Sequence, residues 1–461
     1  MILIIIFLTS ISLASSEQTN SIDHIFSYLK EKTLEKSYDL QSTQALNNQK
    51  SAQIYTSITH WFPQASLQVS QMRGKDFSIL SSGNLGALAA TITPQIYDLK
   101  KAELVISFPI YRRSVHIGLI EALNEKDLSK NQLLLSQSEI DWKLRAYLGN
   151  YLLQKYKEAT IENSIQIART NLKEAELRFE LGQRTKIDLL KAKANLVALN
   201  SKKLTYQSEI LASQNTLLEY TGMQSKEFFE TGLPVKISTE LLLAQTIDAF
   251  TQIQEALSSV QPYQTASNDV LEKQIVEHSP VYQRFIIQNS LSQIKNQLLT
   301  SAEWPELALK GSINKQALQW NEVFSSSQRS YALAVVLSIP IFSGGSLLSS
   351  NLEKYHANQA SEFKTQKDIL GFLDEVENEK IQIQTLFSTL EAQKLSLSQN
   401  EEIVRLSFKS YQLGKATMLE LLNSQTDLID AKINLAKTKI DLSALVKRFA
   451  WNLGKPVDQK E

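Results

Sequence analysis

Two hydrophobic rhythms alternate along this chain. In four short stretches the apolar residues recur at every second position. Ala65, Leu67 and Val69 alternate with Ser66, Gln68 and Ser70, and Leu104, Ile106 and Phe108 alternate with Glu103, Val105 and Ser107. Leu307, Leu309 and Ile313 alternate with Ala308, Lys310 and Ser312, and Tyr331, Leu333, Val335, Leu337 and Ile339 oppose Ala332, Ala334 and Ser338. A period of two places one apolar face on each strand. The alternation predicts strands at about 63–73, 99–110, 305–316 and 329–342. Loops are expected at Arg73–Tyr97, with Gly74, Gly83 and Gly86, and near Leu318–Gln328, with Ser325, Ser326 and Ser327.

The second rhythm is helical. Leu144, Leu148, Tyr151 and Leu152 share one helix face. Ser114–Leu181 and Ser346–Leu413, each 68 residues, are rich in Leu, Lys, Glu, Gln, Ala and Ser and contain no Pro. A helix of that length runs about 100 Å. A 36-residue segment follows each (Thr185–Tyr220, Thr417–Asn452), and a 25-residue segment precedes each pair of strands (Ser37–Trp61, Ser279–Glu303). The two shorter segments together nearly match the long one, as in a wall of helices. Pro is absent between Pro109 and Pro234 and between Pro340 and Pro456, so little interrupts these ladders.

The chain is written twice. Leu181-Gly182-Gln183-Arg184-Thr185-Lys186-Ile187-Asp188-Leu189-Leu190 returns as Leu413-Gly414-Lys415-Ala416-Thr417-Met418-Leu419-Glu420-Leu421-Leu422 at an offset of 232, with Phe179 against Tyr411 and Gly222 against Gly454. Ser107-Phe108-Pro109-Ile110-Tyr111 returns as Ser338-Ile339-Pro340-Ile341-Phe342 at 231, and Phe62-Pro63 as Trp304-Pro305 at 242. A period above 200 residues marks a duplicated domain. Within the first motif, Gly182 and Gly414 suit the left-handed position after a helix. Thr185 and Thr417 suit the next N-cap, and Asp188 and Glu420 fall at N3 of capping boxes. Each motif is then a tight hairpin tip, and capping alone accounts for its carboxylate.

Composition narrows the chemistry. The 461 residues carry 48 basic and 48 acidic side chains, so no net field draws the chain to nucleic acid. It has no Cys, which removes disulfides, thiolate metal sites and a lipid-anchor cysteine. The five His (His24, His60, His116, His278, His356) never stand four apart as a helical metal pair. No phosphate loop or nucleophile elbow occurs, so neither cofactor nor metal nor enzyme activity is expected. Residues 1–14 form an apolar run ending Ser12-Leu13-Ala14, read as a secretory signal peptide, although its n-region lacks Lys and Arg. A buried N-terminal helix is the alternative. No later stretch has 18 uninterrupted apolar residues, so any membrane entry is by strands. Four strands cannot close a barrel, which would have to be shared between chains.

The doubled tips, the Ser-Phe-Pro-Ile-Tyr and Ser-Ile-Pro-Ile-Phe-Ser-Gly-Gly strand ends and the Phe-Pro and Trp-Pro steps resemble the TolC-type outer-membrane efflux proteins over nearly the whole chain past residue 14. The resemblance implies a mainly α protein with a small membrane β-barrel contribution. A homotrimer would complete a 12-stranded barrel in the outer-membrane lipid of a Gram-negative bacterium and a 12-helix tunnel in the periplasm. A periplasmic adaptor and an inner-membrane pump would dock at the tips: Leu181, Gly182, Arg184, Thr185, Leu413, Gly414, Lys415 and Thr417. Its gate residues map onto Asp188, Tyr411, Glu420 and Asn423; the last is not an acid, and the family's tip arginine falls on Ala416. The division read is a first repeat at 15–222, a linker or equatorial region at 223–278, a second repeat at 279–455 and a tail at 456–461. Drug efflux, protein secretion and metal export all remain open. A non-pore periplasmic coiled-coil scaffold is the rival reading; it explains the helices and leaves the matched strands unexplained.

Overall fold

The computed structural model describes residues 22–76, 95–230, 239–264, 267–317, 319–324 and 329–454. The expected signal peptide and C-terminal tail lie outside them. The chain is mostly helical with one four-stranded sheet. The elements run α1 (22–36), α2 (Tyr38–Thr59), β1 (Gln64–Asp76), β2 (Gln95–Tyr111), α3 (Arg113–Ser138), α4 (Ile140–Glu180) and α5 (Lys186–Thr221). Next come α6 (Ser225–Glu230), α7 (Glu240–Thr251), α8 (Ile253–Gln264), α9 (Asn268–His278) and α10 (Pro280–Leu298). Then follow β3 (Glu306–Ala317), α11 (Trp320–Phe324), β4 (Arg329–Ser338), α12 (Ser346–Gln412) and α13 (Met418–Asn452). Contacts divide the chain into two compact units, residues 1–46, 130–285 and 367–461 in one, and 47–129 and 286–366 in the other.

The second of these holds the sheet, antiparallel in the order β1-β2-β3-β4. Because paired residues share a face, the register tests the alternation directly. Leu67 lies opposite Leu104, which lies opposite Ile313, which lies opposite Tyr331. One rung on, Ala65, Ile106, Gly311 and Leu333 are aligned, and Phe108, Leu309 and Val335 follow. The apolar positions thus form one continuous face, although Leu67 is 69% and Leu333 74% exposed. The other face carries Gln68, Glu103, Asn314 and Ser330 in one row, and Lys101 pairs with Glu103 at 2.7 Å. Near the sheet, the Arg113 guanidinium lies over the Trp304 ring (4.0 Å), and Trp61 meets His116 edge to face (4.2 Å). Glu125 bridges Lys50 and Lys295 at 2.8 Å each.

The strand bounds differ from expectation in two places. Alternation puts the first loop from Arg73, but the β1–β2 ladder continues through Arg73↔Asp98 to Asp76↔Gln95. Polar residues continue a ladder as well as apolar ones, so the loss of alternation did not mark its end. Conversely, β4 stops at Ser338 and not at 342. Pro340 has no N–H to donate, and β4 is an edge with no neighbour beyond it. Its counterpart Pro109 is carried through β2 by a register shift between Pro109 and Tyr111.

The other unit contains both helical hairpins. The long helix expected from Ser114 is divided into α3 and α4 at Glu139, which keeps helical angles and accepts from Lys143 N–H. Leu144, Leu148, Tyr151 and Leu152 are buried against Phe26 and Leu29 of α1, Leu217 of α5 and Leu243, Ile247 and Phe250 of α7. A second core gathers Phe372, Val376 and Ile383 of α12 with Leu442, Val446 and Phe449 of α13. The 223–278 segment is largely helical: α7 is tied to α13 by Glu240–Lys432 (2.6 Å) and by Ser443 donating to the Thr251 carbonyl (3.1 Å). The duplication is visible in the packing. Gly222 (φ +69) and Gly454 (φ +74) are both left-handed, and a Cβ on either would strike a carbonyl, of Lys36 and His278 respectively. Those carbonyls precede Ser37 and Ser279, where α1 gives way to α2 and α9 to α10. By the same 242 offset, α9 is the second copy's α1 and lies within 223–278.

Candidate functional site

The tips are built by backbone chemistry. At the end of α4 the Gly182 N–H donates to the Phe179 carbonyl (2.9 Å) and the Gln183 N–H to that of Arg178 (2.8 Å), with Gly182 at φ +71. At the end of α12 Gly414 and Lys415 repeat this onto Tyr411 (3.0 Å) and Ser410 (2.9 Å), with Gly414 at φ +79. Both are Schellman closures, which satisfy the last carbonyls of a helix. Thr185 and Thr417 then accept from the N–H of Asp188 and Glu420, each at 3.3 Å. The reciprocal bond, Thr417 N–H to Glu420 Oε2 at 2.8 Å, completes a capping box only in the second tip. The expected box at Asp188 is half-made, because Asp is one methylene shorter than Glu. Leu181 and Leu413 stand 62% and 68% exposed, with Gly182, Thr185, Gly414, Lys415 and Thr417 also exposed beside them.

The two tips are clamped together by arginines of the first. Arg184 donates to the carbonyls of Tyr411 (2.8 Å) and Ala416 (3.1 Å). Arg178, held by Glu174 (2.7 Å), donates to the carbonyl of Gln412 (3.0 Å). Two of these acceptors lie in the last turn of α12 and the third just past it, where orphan carbonyls and the negative helix end favour cations. Both guanidinium groups also lie near the Tyr411 ring, at 4.6 Å and 5.6 Å. The ring is fully buried with Ala175, Ala192, Met418, Leu421 and Leu422. Burial pushes its phenol above the ordinary range, and its hydroxyl has no hydrogen-bond partner.

The structure therefore brings together Tyr411 and Arg184. Tyr411 is a packing centre here; its hydroxyl bonds neither Asp188 nor any other group. Asp188 is half-buried at its own N-terminus, Glu420 turns one oxygen to its own cap, and Asn423 is exposed on α13. Ala416, which stands where the resemblance would put the tip arginine, is reached by Arg184 from the other tip. Arg178 and Glu174 are not among the residues that the sequence singles out. Their signal was an i, i+4 acid–base pair one turn before Gly182, which on an exposed helix reads as local support. Among the described residues no cluster of ligands could hold a metal ion, and no helix is long and apolar enough to cross a membrane.

Comparison with known proteins agrees with this architecture. Residues 287–445 match the family model of the outer membrane efflux proteins. The chain is 23% identical over 423 residues to the pyoverdine export outer membrane protein OpmQ of Pseudomonas aeruginosa, covering 90% of this chain and 82% of that one. It is 21% identical over 355 residues to the alkaline protease secretion protein AprF of the same organism, covering 76% of this chain and 66% of AprF. The fold superposes on the Campylobacter jejuni CmeC outer membrane channel with a TM-score of 0.71 at 12% identity, over 95% of this chain and 87% of CmeC. Family match, relatives and fold point the same way: residues 287–445 match the outer membrane efflux proteins, and the fold of the chain is that of solved outer membrane channels.

Proposed function

We propose that this protein is the outer-membrane exit channel of a tripartite export system in a Gram-negative bacterium, passing small molecules or proteins from a pump and a periplasmic adaptor to the outside. It acts as a homotrimer: three sheets close a 12-stranded barrel in the outer membrane, and the helices extend a tunnel into the periplasm. It is a conduit and not an enzyme. The observation that carries the reading is the sheet, which has one apolar face across all four strands and unpaired edges on β1 and β4. β4 alone has ten residues, about half of whose backbone groups point away from β3. In hydrocarbon each unpaired group costs several kcal/mol, so an open sheet is excluded by tens of kcal/mol. A scaffold without a pore has no use for such a face.

The exposed leucines and glycines of the two tips are the docking surface for the adaptor, and the arginine clamp is the resting lock. Opening releases Arg178 and Arg184 from the carbonyls of α12 and swings the second hairpin away from the first. Glu420 and Asn423 line the aperture, three copies of Glu420 forming a ring that favours cations. The test is the mass of the detergent-solubilised particle, corrected for bound detergent, combined with extraction behaviour. Three chains that need detergent for extraction support the channel. A single chain that is soluble without detergent removes the barrel and returns the protein to the scaffold reading.

A further inference from the structure

The apolar face of the sheet ends in charge. Along the second hairpin its rows run Leu307↔Leu337, Leu309↔Val335, Gly311↔Leu333 and Ile313↔Tyr331, and the next pair on that face is Lys315↔Arg329. Along the first hairpin the same face passes from Leu67↔Leu104 through Val69↔Ala102 and Gln71↔Lys100 to Arg73↔Asp98. Four cations and one carboxylate therefore stand on these rungs near the hairpin loops. The carboxylate is already engaged: Asp98 pairs with Lys100 at 3.1 Å and accepts from Gln71 Nε2 at 2.8 Å.

The first copy shows what the second lacks. Adding 242 to β1 and 231 to β2 carries the first ladder onto the second, so that Gln64↔Ser107 becomes Glu306↔Ser338 and Arg73↔Asp98 becomes Lys315↔Arg329. In the first copy a cation stands opposite an acid. In the second, two cations stand opposite each other, which works against strand pairing unless an anion lies between them. Among the described residues the ion pairs at the sheet are Lys100–Asp98, Lys101–Glu103 and Arg112–Glu306, so neither Lys315 nor Arg329 has one. The loop sequences offer little to fill the gap: 77–94 contains no acidic residue, and 318–328 contains Glu322 alone.

We propose that this charged end of the apolar face is a docking surface for the phosphate groups of anionic membrane lipids, with Lys315 and Arg329 holding a phosphate between them and Arg73 and Lys100 beside it. This rests on the membrane reading above and adds to it the lipid chemistry that the sheet selects. The position fits. From Leu307 to Ile313 the apolar rows run about 20 Å along the strand, and the cations follow on the next rung, where hydrocarbon gives way to headgroups. Tyr331, 83% exposed on the last apolar row, is the residue type that gathers at that boundary. The chemistry fits as well. Directly opposite residues have Cβ atoms about 4.5–5.5 Å apart, so two long side chains can converge on one anion. The arginine fork matches phosphate oxygens in pairs, and the lysine adds a point charge. An anionic headgroup thereby turns a repulsive pair into a bridged one.

The test uses the full-length protein, extracted in neutral detergent and weighed to establish the particle. It is titrated with phosphatidylglycerol, with phosphatidylcholine and with inorganic phosphate. Lipids retained per particle are counted by native mass spectrometry, and the thermal midpoint is followed in parallel. Three variants accompany the natural protein. Lys315→Gln/Arg329→Gln removes the proposed grip. Arg329→Asp gives the second copy the opposite-charge pair of the first, so it keeps the sheet while losing the site. Lys310→Gln, on the other face beside Ser107 and Ala334, is the control. Retention of phosphatidylglycerol several-fold above phosphatidylcholine is expected for the natural protein and for Lys310→Gln, falling to the phosphatidylcholine level in the other two. Equal retention of the two lipids by the natural protein overturns the proposal, as does undiminished phosphatidylglycerol on Arg329→Asp particles of natural mass. Inorganic phosphate that raises the midpoint as much as phosphatidylglycerol overturns the assignment to a lipid surface. A natural protein that is soluble as a single chain without detergent removes the membrane reading itself, and the docking surface with it.

Discussion

At the scale of single residues, the tip region depends on charge placed against backbone. Arg184 donates to the carbonyl of Tyr411 in the last turn of α12 and to that of Ala416 in the tip just past it. Hydrogen bonds from a charged donor contribute on the order of 1.5–3 kcal/mol. Arg184→Ala is expected to raise resting conductance in planar bilayers by about tenfold or more, with little change in the fully open level; an unchanged resting level would mean the clamp is not the lock. Glu420→Ala is expected to reduce cation selectivity in the same recordings, and unaltered selectivity would remove the carboxylate ring. Glu379 is a different case. It is buried on α12, accepts from Asn452 Nδ2 at 2.8 Å, and has Arg448 Nε at 2.8 Å without a directed hydrogen bond. Burial pushes its carboxyl up to about 7, against 4.5 when free. Because the folded value is the higher one, ionisation opposes folding: stability is greatest below about pH 4.5 and declines as pH rises toward 7. Glu379→Gln is expected to gain on the natural protein between pH 5 and 8, by roughly 2–3 kcal/mol at the upper end. Denaturant titrations at both pH values test it, and parallel curves would show that the carboxyl titrates normally.

At the scale of elements, the same residue type performs two distinct tasks at repeated positions. Gly182 and Gly222 are both left-handed, but a Cβ on Gly182 meets only open space, whereas on Gly222 it meets the Lys36 carbonyl. Gly182→Ala is expected to cost about 1–2 kcal/mol, the price of that conformation for an L-residue. Gly222→Ala carries the same strain and in addition forces α1 and α5 apart, so its loss is expected to be clearly larger in calorimetric unfolding. Equal losses would show that the close approach relaxes freely. These two tasks could not be told apart in the sequence, where each glycine simply follows a helical run. The helical hairpins and the alternating strands were legible, since their periodicities are local. The break at Glu139 was not, because its flanks continue the same pattern. The end of β4 was legible only in part: Pro340 was in view, but whether a strand can carry a proline depends on its neighbour.

At the scale of the whole molecule, the sheet and its two faces carry the proposed membrane role. The apolar rows are spread over all four strands and remain exposed in the single chain. Leu333→Arg, in the middle of that face, is expected to reduce assembly into membranes by about 2–4 kcal/mol, the penalty for an arginine facing lipid at mid-depth. Ala332→Arg, one residue away on the other face, is expected to assemble normally and alter conductance instead. Separating membrane-bound from aggregated protein checks both, and equal behaviour of the two would contradict the assignment of faces.

By itself the sequence determined the periodicities, the duplication, the two tips with their N-cap threonines and the absence of thiols. Each of these is carried by residues within a few positions of one another, or by direct repetition. Only the tertiary structure decided that Tyr411 is a buried packing centre with two arginines beside it, that Arg184 reaches Ala416 across the tips, and that Asp188 makes half a cap. It also decided that the two strand pairs share one register. The physical reason is the same throughout: capping and alternation act along the chain, whereas the carbonyls at the end of α12 and in its tip are reached by arginines that arrive from far along it.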